Sequence, residues 1–125
     1  MKIAEVSERF GLSLDTLRYY ERIGLIPPVG RNESGIRDYG DIDLRRIEFI
    51  KCMRSAGLPI EALIEYIGLL QQGDDTISAR KEILEEQRRQ LLSRIEEMNK
   101  TLDVLNYKLD AYGKALIEKG KAFEE

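Results

Sequence analysis

Few residues of this 125-residue sequence are suited to covalent or metal chemistry. Cys52 is its only cysteine, and histidine is absent. No nucleophile is paired with a base and no glycine-rich phosphate loop occurs, so the sequence predicts no catalytic residue, no cofactor-binding residue and no enzyme activity. Without histidine or a second cysteine, a soft-metal site built within one chain is not expected either.

Arginine side chains in the first half of the chain offer a different chemistry. Residues 1–58 contain ten Lys and Arg against nine Asp and Glu, and eight of those ten are arginine. Residues 59–125 contain ten against fourteen. The arginine fork is a better ligand for phosphate and guanine than lysine is. The net charge is −3, so the overall charge does not support nucleic-acid binding. The indication of nucleic-acid binding comes only from the arginine content of residues 1–58.

The helices that would position these arginines are predicted from apolar spacing. Ile3, Val6 and Phe10 share one face of a short helix that Gly11 ends in a left-handed conformation. Ser13 is the expected N-cap of a second helix. The apolar face of that helix is expected to consist of Leu14, Leu17 and Tyr20. Two short helices joined by a glycine-containing turn form a helix-turn-helix layout.

A small hairpin is predicted directly after the second helix, which Pro27-Pro28 stops. Residues 29–31 and 36–39 would form its two strands, with a turn through Asn32-Glu33-Ser34-Gly35. A hairpin in this place is typical of the wing of a winged helix-turn-helix.

Two further helices and a linker are predicted to follow the hairpin. Asp41 is the expected cap of a third helix that runs to about Ser55, and Pro59 the first residue of a fourth. On one side of the third helix, Ile42, Phe49, Met53 and Ala56 are expected to cluster, with Ile50 nearby. The stripe of the fourth is expected to carry Leu63, Ile67 and Leu70.

The segment from Thr76 onward shows a sustained heptad pattern, with no proline and no glycine before Gly113. Such a pattern favours a coiled coil, which needs a partner helix, most simply from a second copy of the chain. One core register is Ile77, Leu84, Leu91, Met98, Leu105 and Tyr112; the other is Lys81, Arg88, Ile95, Leu102, Leu109 and Leu116. The predicted dimer interface consists of Leu84, Leu91, Ile95, Met98, Leu102, Leu105, Leu109 and Tyr112.

The predicted fold is therefore mostly α: a winged helix-turn-helix domain with a small β-hairpin wing, followed by a long dimerisation helix. We expect the domain at residues 1–72, a linker at 73–75, the coiled-coil helix at 76–118 and a tail at 119–125. The first residues hold no apolar signal core and no apolar run is long enough to cross a bilayer, which indicates a cytoplasmic protein without membrane contact.

The segment from Ser13 to Pro27, with the letters SLDTLRYYERIGLIP, resembles the N-terminal signature of the mercury-resistance-regulator (MerR) family. Arg37-Asp38-Tyr39 resembles the wing of that family, and Gly57-Leu58 resembles the turn before its second wing helix. The resemblance spans roughly residues 2–72. It implies a bacterial, nucleoid-associated regulator that binds double-stranded promoter DNA as a homodimer, through an antiparallel coiled coil, and distorts it for RNA polymerase.

The resemblance also implies which side chains contact DNA. The helix from Ser13 to Arg22 would enter the major groove, and its planar fork makes Arg18 the best candidate for a base or phosphate contact. The wing would hold the flanking backbone, which sets register more than sequence choice. The predicted DNA-binding residues are Ser13, Thr16, Arg18, Tyr19, Tyr20, Arg31, Arg37 and Tyr39.

Cys52 is the candidate residue through which such a regulator would receive a chemical signal. Metal-sensing and iron–sulfur relatives use several cysteines, and drug-sensing relatives carry a large C-terminal domain; this sequence shows neither. A branch of the family that responds to aldehyde and nitrosative stress has a single cysteine at about this place, so Cys52 is the predicted sensor of a small electrophile. Lys51, Arg54 and Arg45 favour a reactive thiolate, while Glu48 opposes it.

Two alternatives remain open at the level of the sequence. In the first, Cys52 is inert and the protein is a DNA-binding regulator without an effector of its own. In the second, the chain is a coiled-coil interaction module whose N-terminal domain binds protein rather than DNA.

Overall fold

The computed structural model describes residues 1–118, so the predicted tail at 119–125 lies outside the described residues. Within residues 1–118 the chain forms five α-helices and a short 3₁₀ helix, Asp74–Thr76, which precedes the last of them. The α-helices are α1 (Ile3–Phe10), α2 (Leu14–Arg22), α3 (Asp41–Ser55), α4 (Ile60–Gln72) and α5 (Ile77–Ile117). The mostly helical fold with a long last helix is confirmed. Contacts divide the chain into two compact units, Met1–Gln87 and a second that begins at Arg88.

The turn between α1 and α2 follows the sequence prediction closely. Gly11 has φ 66° and ψ 30°, the left-handed conformation in which a glycine ends a helix without strain. Ser13 then caps α2, because its Oγ accepts a hydrogen bond from the Thr16 N–H at 3.0 Å. Both local predictions are confirmed, and together they fix where α2 starts.

The predicted wing is a short antiparallel hairpin whose turn also carries side-chain hydrogen bonds. Its strand pairing is reduced to one antiparallel bridge between Arg31 and Arg37, with no strand among residues 1–118. Asn32 Oδ1 accepts from the N–H groups of Ser34 at 2.9 Å and Ile36 at 3.1 Å. Backbone hydrogen bonds from the Asn32 N–H to the Ile36 carbonyl and from the Asp38 N–H to the Gly30 carbonyl, both 2.8 Å, pair the two predicted segments. The hairpin is therefore present, but its pairing is too short to form regular strands.

The third and fourth helices start one residue away from their predicted caps. The N-cap of α3 is Gly40, whose N–H donates to Asp43 Oδ2 at 2.9 Å, and Asp41 is the first helical residue. Pro59 is the N-cap of α4 and not its first residue. Asp43 lies where the helix dipole favours an anion, so it takes the role predicted for Asp41.

The buried face of α3 also differs from the prediction. Ile47, which lies outside the predicted cluster, is fully buried together with Ile50, whereas Ile42 is 56% exposed. Phe49 and Met53 pack only partly against the core, and Ala56 is exposed. Apolar residues surround much of this helix, so its sequence periodicity did not determine which side faces inward.

The core of the first unit is built from α1, α2, α3 and α4 and from the loop after α2. Val6, Leu17, Leu25, Ile47 and Ile50 are fully buried. Leu63 and Ile67 of α4 are buried as predicted. The remaining buried hydrophobic residues are Phe10, Ile26, Val29, Tyr39 and Leu58. This core holds α2 in place while one side of α2 stays in solvent.

The second unit consists of α5 from Arg88 onward. No residue from 88 to 118 is buried. Its large exposed apolar residues are Leu92, Ile95, Met98, Leu102, Val104, Leu105, Tyr107, Leu109, Tyr112, Leu116 and Ile117. None of the described helices is long and apolar enough to cross a membrane.

Candidate nucleic-acid interface

Arg18 lies on the exposed side of α2. Its side chain is 48% exposed, and its Nη1 lies 3.6 Å from the carboxylate of Asp15, three residues earlier. Asp15 is almost fully exposed, and ion pairs between such surface groups contribute little free energy in water. The Arg18 guanidinium can therefore exchange this carboxylate for a phosphate or a guanine edge.

Ser13 and Thr16 organise the start of α2. Ser13 Oγ accepts from the Thr16 N–H and donates to Thr16 Oγ1 at 2.8 Å. Ser13 is exposed and Thr16 half-buried. With these hydroxyl groups bonded to each other, the main contribution of the pair in this structure is to fix the helix N-terminus from which Arg18 projects.

The two adjacent tyrosines face different surroundings. Tyr19 is 42% exposed, and the guanidinium carbon of Arg22 lies 5.3 Å from the centre of its ring. Tyr20 is half-buried and packs against the core. The ring centres are 6.4 Å apart. Tyr19 is thus presented on the same side of the helix as Arg18, and Tyr20 anchors α2 to the domain.

An ion pair joins the wing to α2. Arg37 Nε donates to Glu21 Oε1 at 2.8 Å, and the two side chains are only 24% and 16% exposed. Arg31 is engaged within the wing itself, because its Nη1 donates to the Gly35 carbonyl at 2.7 Å. The contact partner of Arg37 was not predicted. The sequence feature that could have predicted this pair is a carboxylate on the less exposed side of α2 together with an arginine in the wing.

Tyr39 is the one predicted DNA contact whose side chain is withdrawn from solvent. It is 2% exposed, and its hydroxyl oxygen has no hydrogen-bond partner among residues 1–118. Desolvation by burial raises the pKa of the Tyr39 hydroxyl, a shift that the nearby Arg37 opposes and Glu21 reinforces. The ring therefore packs in the core beneath the wing in this structure, and a direct contact of Tyr39 with DNA stays a prediction.

Cys52 lies in the last turns of α3 and is exposed. It borders a surface cleft of about 410 Å³, whose wall includes Phe10, Glu48 and Lys51. The Lys51 ammonium donates to the Phe10 carbonyl, and Arg54 Nη1 donates to the Leu58 carbonyl at 2.7 Å. Two of the cations expected to favour a thiolate thus donate to carbonyl groups. Residues 1–118 contain no cluster of His, Cys, Asp and Glu fit for a metal ion.

The predicted dimer interface is presented to solvent along α5. Leu84 is 37% exposed, and Leu109 and Met98, both at 68%, are the most exposed members. Leu91 is half-buried. Ile95, Leu102, Leu105 and Tyr112 are 45%, 51%, 55% and 51% exposed. Outside this interface, Val104 and Tyr107 are also exposed, at 59% and 70%.

Comparison with known protein families identifies two matching segments. A family model described as MerR HTH family regulatory protein matches residues 1–70. A second, described as MerR, DNA binding, matches residues 44–107. Together they cover the helix-turn-helix, the wing, α3, α4 and most of α5.

Similar proteins agree with this assignment. The HTH-type transcriptional regulator AdhR of Bacillus subtilis is 62% identical over 92 residues, which are 74% of this chain and 66% of that relative. A protein of Listeria monocytogenes assigned to the MerR family of transcriptional regulators has a crystal structure of TM-score 0.91 at 53% identity, covering 94% of this chain and 89% of that one. HiNmlR, a MerR family regulator lacking the sensor domain and crystallised bound to promoter DNA, gives TM-score 0.82 at 35% identity, covering 93% and 92%. Each is described as a regulator.

Proposed function

This chain belongs to the MerR family of DNA-binding transcriptional regulators, and from that premise we propose that it binds promoter DNA as a homodimer and distorts it to control transcription. The observation that carries the proposal is the exposed side of α2, where Arg18 and Tyr19 project from a helix fixed by its cap and its core. The promoter-bound relative HiNmlR shares this fold.

In the proposed complex, α2 enters the major groove and Arg18 contacts a base edge or a phosphate. Tyr19 donates its hydroxyl to the backbone, and the wing lies along the flanking phosphates through Arg31 and the free nitrogens of Arg37. The Arg37–Glu21 pair, at 2.8 Å, couples the wing to the helix so that both approach the duplex as one body.

Substitution of Arg18 tests the role of α2 in this complex. The wild-type site is first located by genome-wide footprinting, and binding of that duplex is then followed by fluorescence anisotropy. Arg18→Gln should weaken binding by about 1–3 kcal/mol. Arg9→Gln on α1 is the control for loss of one positive charge and should bind within about twofold of wild type. Unchanged binding by Arg18→Gln would contradict the placement of α2 in the groove.

Salt dependence separates DNA binding from the alternative of a protein-interaction module. Phosphate neutralisation releases counterions, so affinity for the duplex should fall by orders of magnitude between about 50 and 200 mM salt. Affinity that is insensitive to salt would support the interaction module instead.

The homodimer is proposed from the predicted dimer interface on α5, whose exposed heptad positions are called the seam. Apolar side chains spaced in heptads over several turns are stabilised when a second helix covers them. The heptads do not set the orientation of the two helices; the antiparallel arrangement is carried over from the family. Analytical ultracentrifugation of the full chain should give the mass of a dimer at micromolar concentration. A monomer that binds its duplex as tightly as other family members would count against the proposal.

Distortion of the duplex is proposed as the means of control. Bending and untwisting a site cost a few kcal/mol, which the contacts of a dimer can supply. RNA polymerase is then the second partner, at a promoter in the bacterial nucleoid whose elements the distortion brings into phase. Hypersensitivity at the centre of the footprint should accompany activation; a smooth footprint with full activation would contradict this mechanism.

We further propose that a small electrophile regulates the protein at Cys52, on the support of its exposure and of the similarity to AdhR. The thiol loses its proton to water, the Sγ thiolate attacks the carbonyl carbon of an aldehyde, and the resulting alkoxide takes up a proton to give a hemithioacetal. The adduct would occupy the cleft between α1 and α3 and favour one DNA-bound state over another.

Cys52→Ser tests this regulation. The variant should bind its duplex as wild type does, lose induction by aldehydes in cells and show no aldehyde adduct by intact-protein mass spectrometry. Full induction of the variant would support the alternative regulator with an inert thiol. The specific observation in favour of that alternative is that Lys51 and Arg54 both donate to carbonyl groups and not to sulfur.

A further inference from the structure

Arg22 and Tyr19 form a stacked pair at the C-terminal end of α2. The guanidinium carbon lies 5.3 Å from the centre of the tyrosine ring, within the distance of about 6 Å at which a cation is attracted to an aromatic face. The residues are three apart, so they are neighbours on one helical surface. Both are exposed.

The stack leaves every N–H donor of Arg22 available. Arg37 donates to Glu21, and Arg31 to the Gly35 carbonyl. No carboxylate or carbonyl among residues 1–118 accepts a hydrogen bond from Arg22. A guanidinium carries five donors in a rigid fork, and the ring of Tyr19 orients that fork through its face without consuming one of them.

The pair of Tyr19 and Arg22 lies on the same side of α2 as Arg18. Residues 15, 18, 19 and 22 are spaced by three and four along α2 and therefore share one side of the helix. Asp15 is at its N-terminal end and Arg22 in its last turn. A duplex that meets Arg18 with this side of the helix also meets the stacked pair.

We infer that Arg22 and Tyr19 act together as a phosphate-binding pair, in which the stacked guanidinium binds one backbone phosphate through two N–H donors while the tyrosine hydroxyl donates to the same strand. This inference rests on the proposed DNA-binding function and adds Arg22, which the sequence alone did not assign. The ring holds the fork in place before the duplex arrives, so less side-chain freedom is lost on binding.

A helix C-terminus also favours a cation by itself, so the experiment must separate binding from helix stability. Wild-type full-length chain, Arg22→Gln and Arg22→Lys are titrated by fluorescence anisotropy with a mixed-sequence duplex of about 30 base pairs, because phosphate contacts do not depend on sequence. The titrations cover about 50–200 mM KCl, and thermal unfolding of each variant is recorded in parallel.

Arg22→Gln should weaken binding about tenfold and reduce the salt slope by about 1 for each protomer bound. Arg22→Lys should retain most of the slope and lose part of the affinity, because it keeps the charge without the fork. Arg9→Gln is the matched control: Arg9 also lies over an aromatic ring, that of Phe10 at 5.6 Å, but on α1. It should leave the slope unchanged.

A double-mutant cycle tests whether the ring matters. The effect of Arg22→Gln should persist in a Tyr19→Phe background, which keeps the ring, and shrink about two- to fivefold in Tyr19→Leu, which removes it. Additive effects in both backgrounds would overturn the pairing. A wild-type slope in Arg22→Gln would overturn the phosphate contact, while Arg18→Gln still weakens binding; failure of the wild type to bind any duplex would overturn the proposed function itself.

Discussion

The unit Met1–Gln87 buries a set of apolar side chains, whereas the part of α5 from Arg88 onward exposes them. In the first, Val6, Leu17 and Ile47 are fully buried within one chain. In the second, no residue from 88 to 118 is buried, and Met98 and Leu109 are each 68% exposed. The first unit therefore has the means to fold by itself, whereas the second holds an apolar surface that a second helix would have to cover.

This difference separates two tasks that a regulator must perform. A preformed core fixes the orientation of Arg18 and Tyr19 before DNA is present. In the proposed dimer, the exposed apolar side of α5 would make the number of DNA-binding surfaces depend on a second copy and hence on protein concentration. Substitutions should therefore affect folding in the first region and association in the second.

The largest expected effect is from truncation in the first core. Leu17 is fully buried, so Leu17→Ala should lower the free energy of unfolding by about 2–5 kcal/mol through lost burial and a cavity. Leu14→Ala in the same helix, where the side chain is 37% exposed, should cost about 1 kcal/mol or less. Urea unfolding of both variants gives the comparison; equal losses would show that the two leucines are not differently packed.

A charge placed in the seam should abolish association without unfolding the first unit. Leu102→Asp is expected to give a monomer by sedimentation and about 100-fold weaker binding to a two-half-site duplex, since the second half-site is no longer bound intramolecularly. Val104→Asp is the control, because Val104 is as exposed as Leu102, at 59% against 51%, but lies off the heptad register. Dissociation by Val104→Asp alone would place the interface on another side of α5.

Breaking the link between the wing and α2 should have an intermediate effect confined to the first unit. Arg37→Gln leaves the Glu21 carboxylate, only 16% exposed, without its partner, and should cost about 1–3 kcal/mol of stability. Asp15→Asn, which removes the exposed pair with Arg18, should cost less than about 1 kcal/mol. Chemical denaturation measures both, and the sedimentation of either variant should match wild type.

The smallest effect at neutral pH is expected for Tyr39→Phe. Removing a buried hydroxyl without a partner should change stability by no more than about 1 kcal/mol, in the stabilising direction. Because burial raises the pKa of Tyr39, the folded state keeps the phenol neutral while the unfolded chain ionises near pH 10. The wild type therefore loses stability as pH rises above 10, and Tyr39→Phe should lose less.

Tyr107→Phe, at a residue 70% exposed, is the control for this alkaline loss and should follow the wild type. Denaturant titrations at about pH 7 and about pH 10.5 measure the difference. Weaker DNA binding by Tyr39→Phe at neutral pH would instead support the direct DNA contact that the sequence predicts for Tyr39.

Features that depend on a few neighbouring residues were predictable from the sequence. Gly11 and Ser13 end one helix and begin the next through hydrogen bonds within five residues. The motif around Arg18 and Tyr19 likewise identified the exposed side of α2. In these places, local propensity and the fold agree.

Features that depend on distant contacts were not predictable. The Arg37–Glu21 pair joins residues 16 apart, and Lys51 reaches the Phe10 carbonyl across 41. The motif around Tyr39 predicts a DNA contact, whereas the side chain lies in the core. Its placement is set by the packing of α1, α2 and α3 around the wing, which no local pattern encodes.

The side-chain hydrogen bonds of Asn32 have a consequence for the thermodynamics of recognition. Because its Oδ1 accepts from Ser34 and Ile36 at 2.9 and 3.1 Å, the tip of the wing is ordered in the free protein. The conformational entropy of that turn is then lost during folding rather than when DNA is encountered. Asn32→Ala should accordingly make the binding entropy less favourable and slow the encounter, even though the side chain itself never has to touch the duplex.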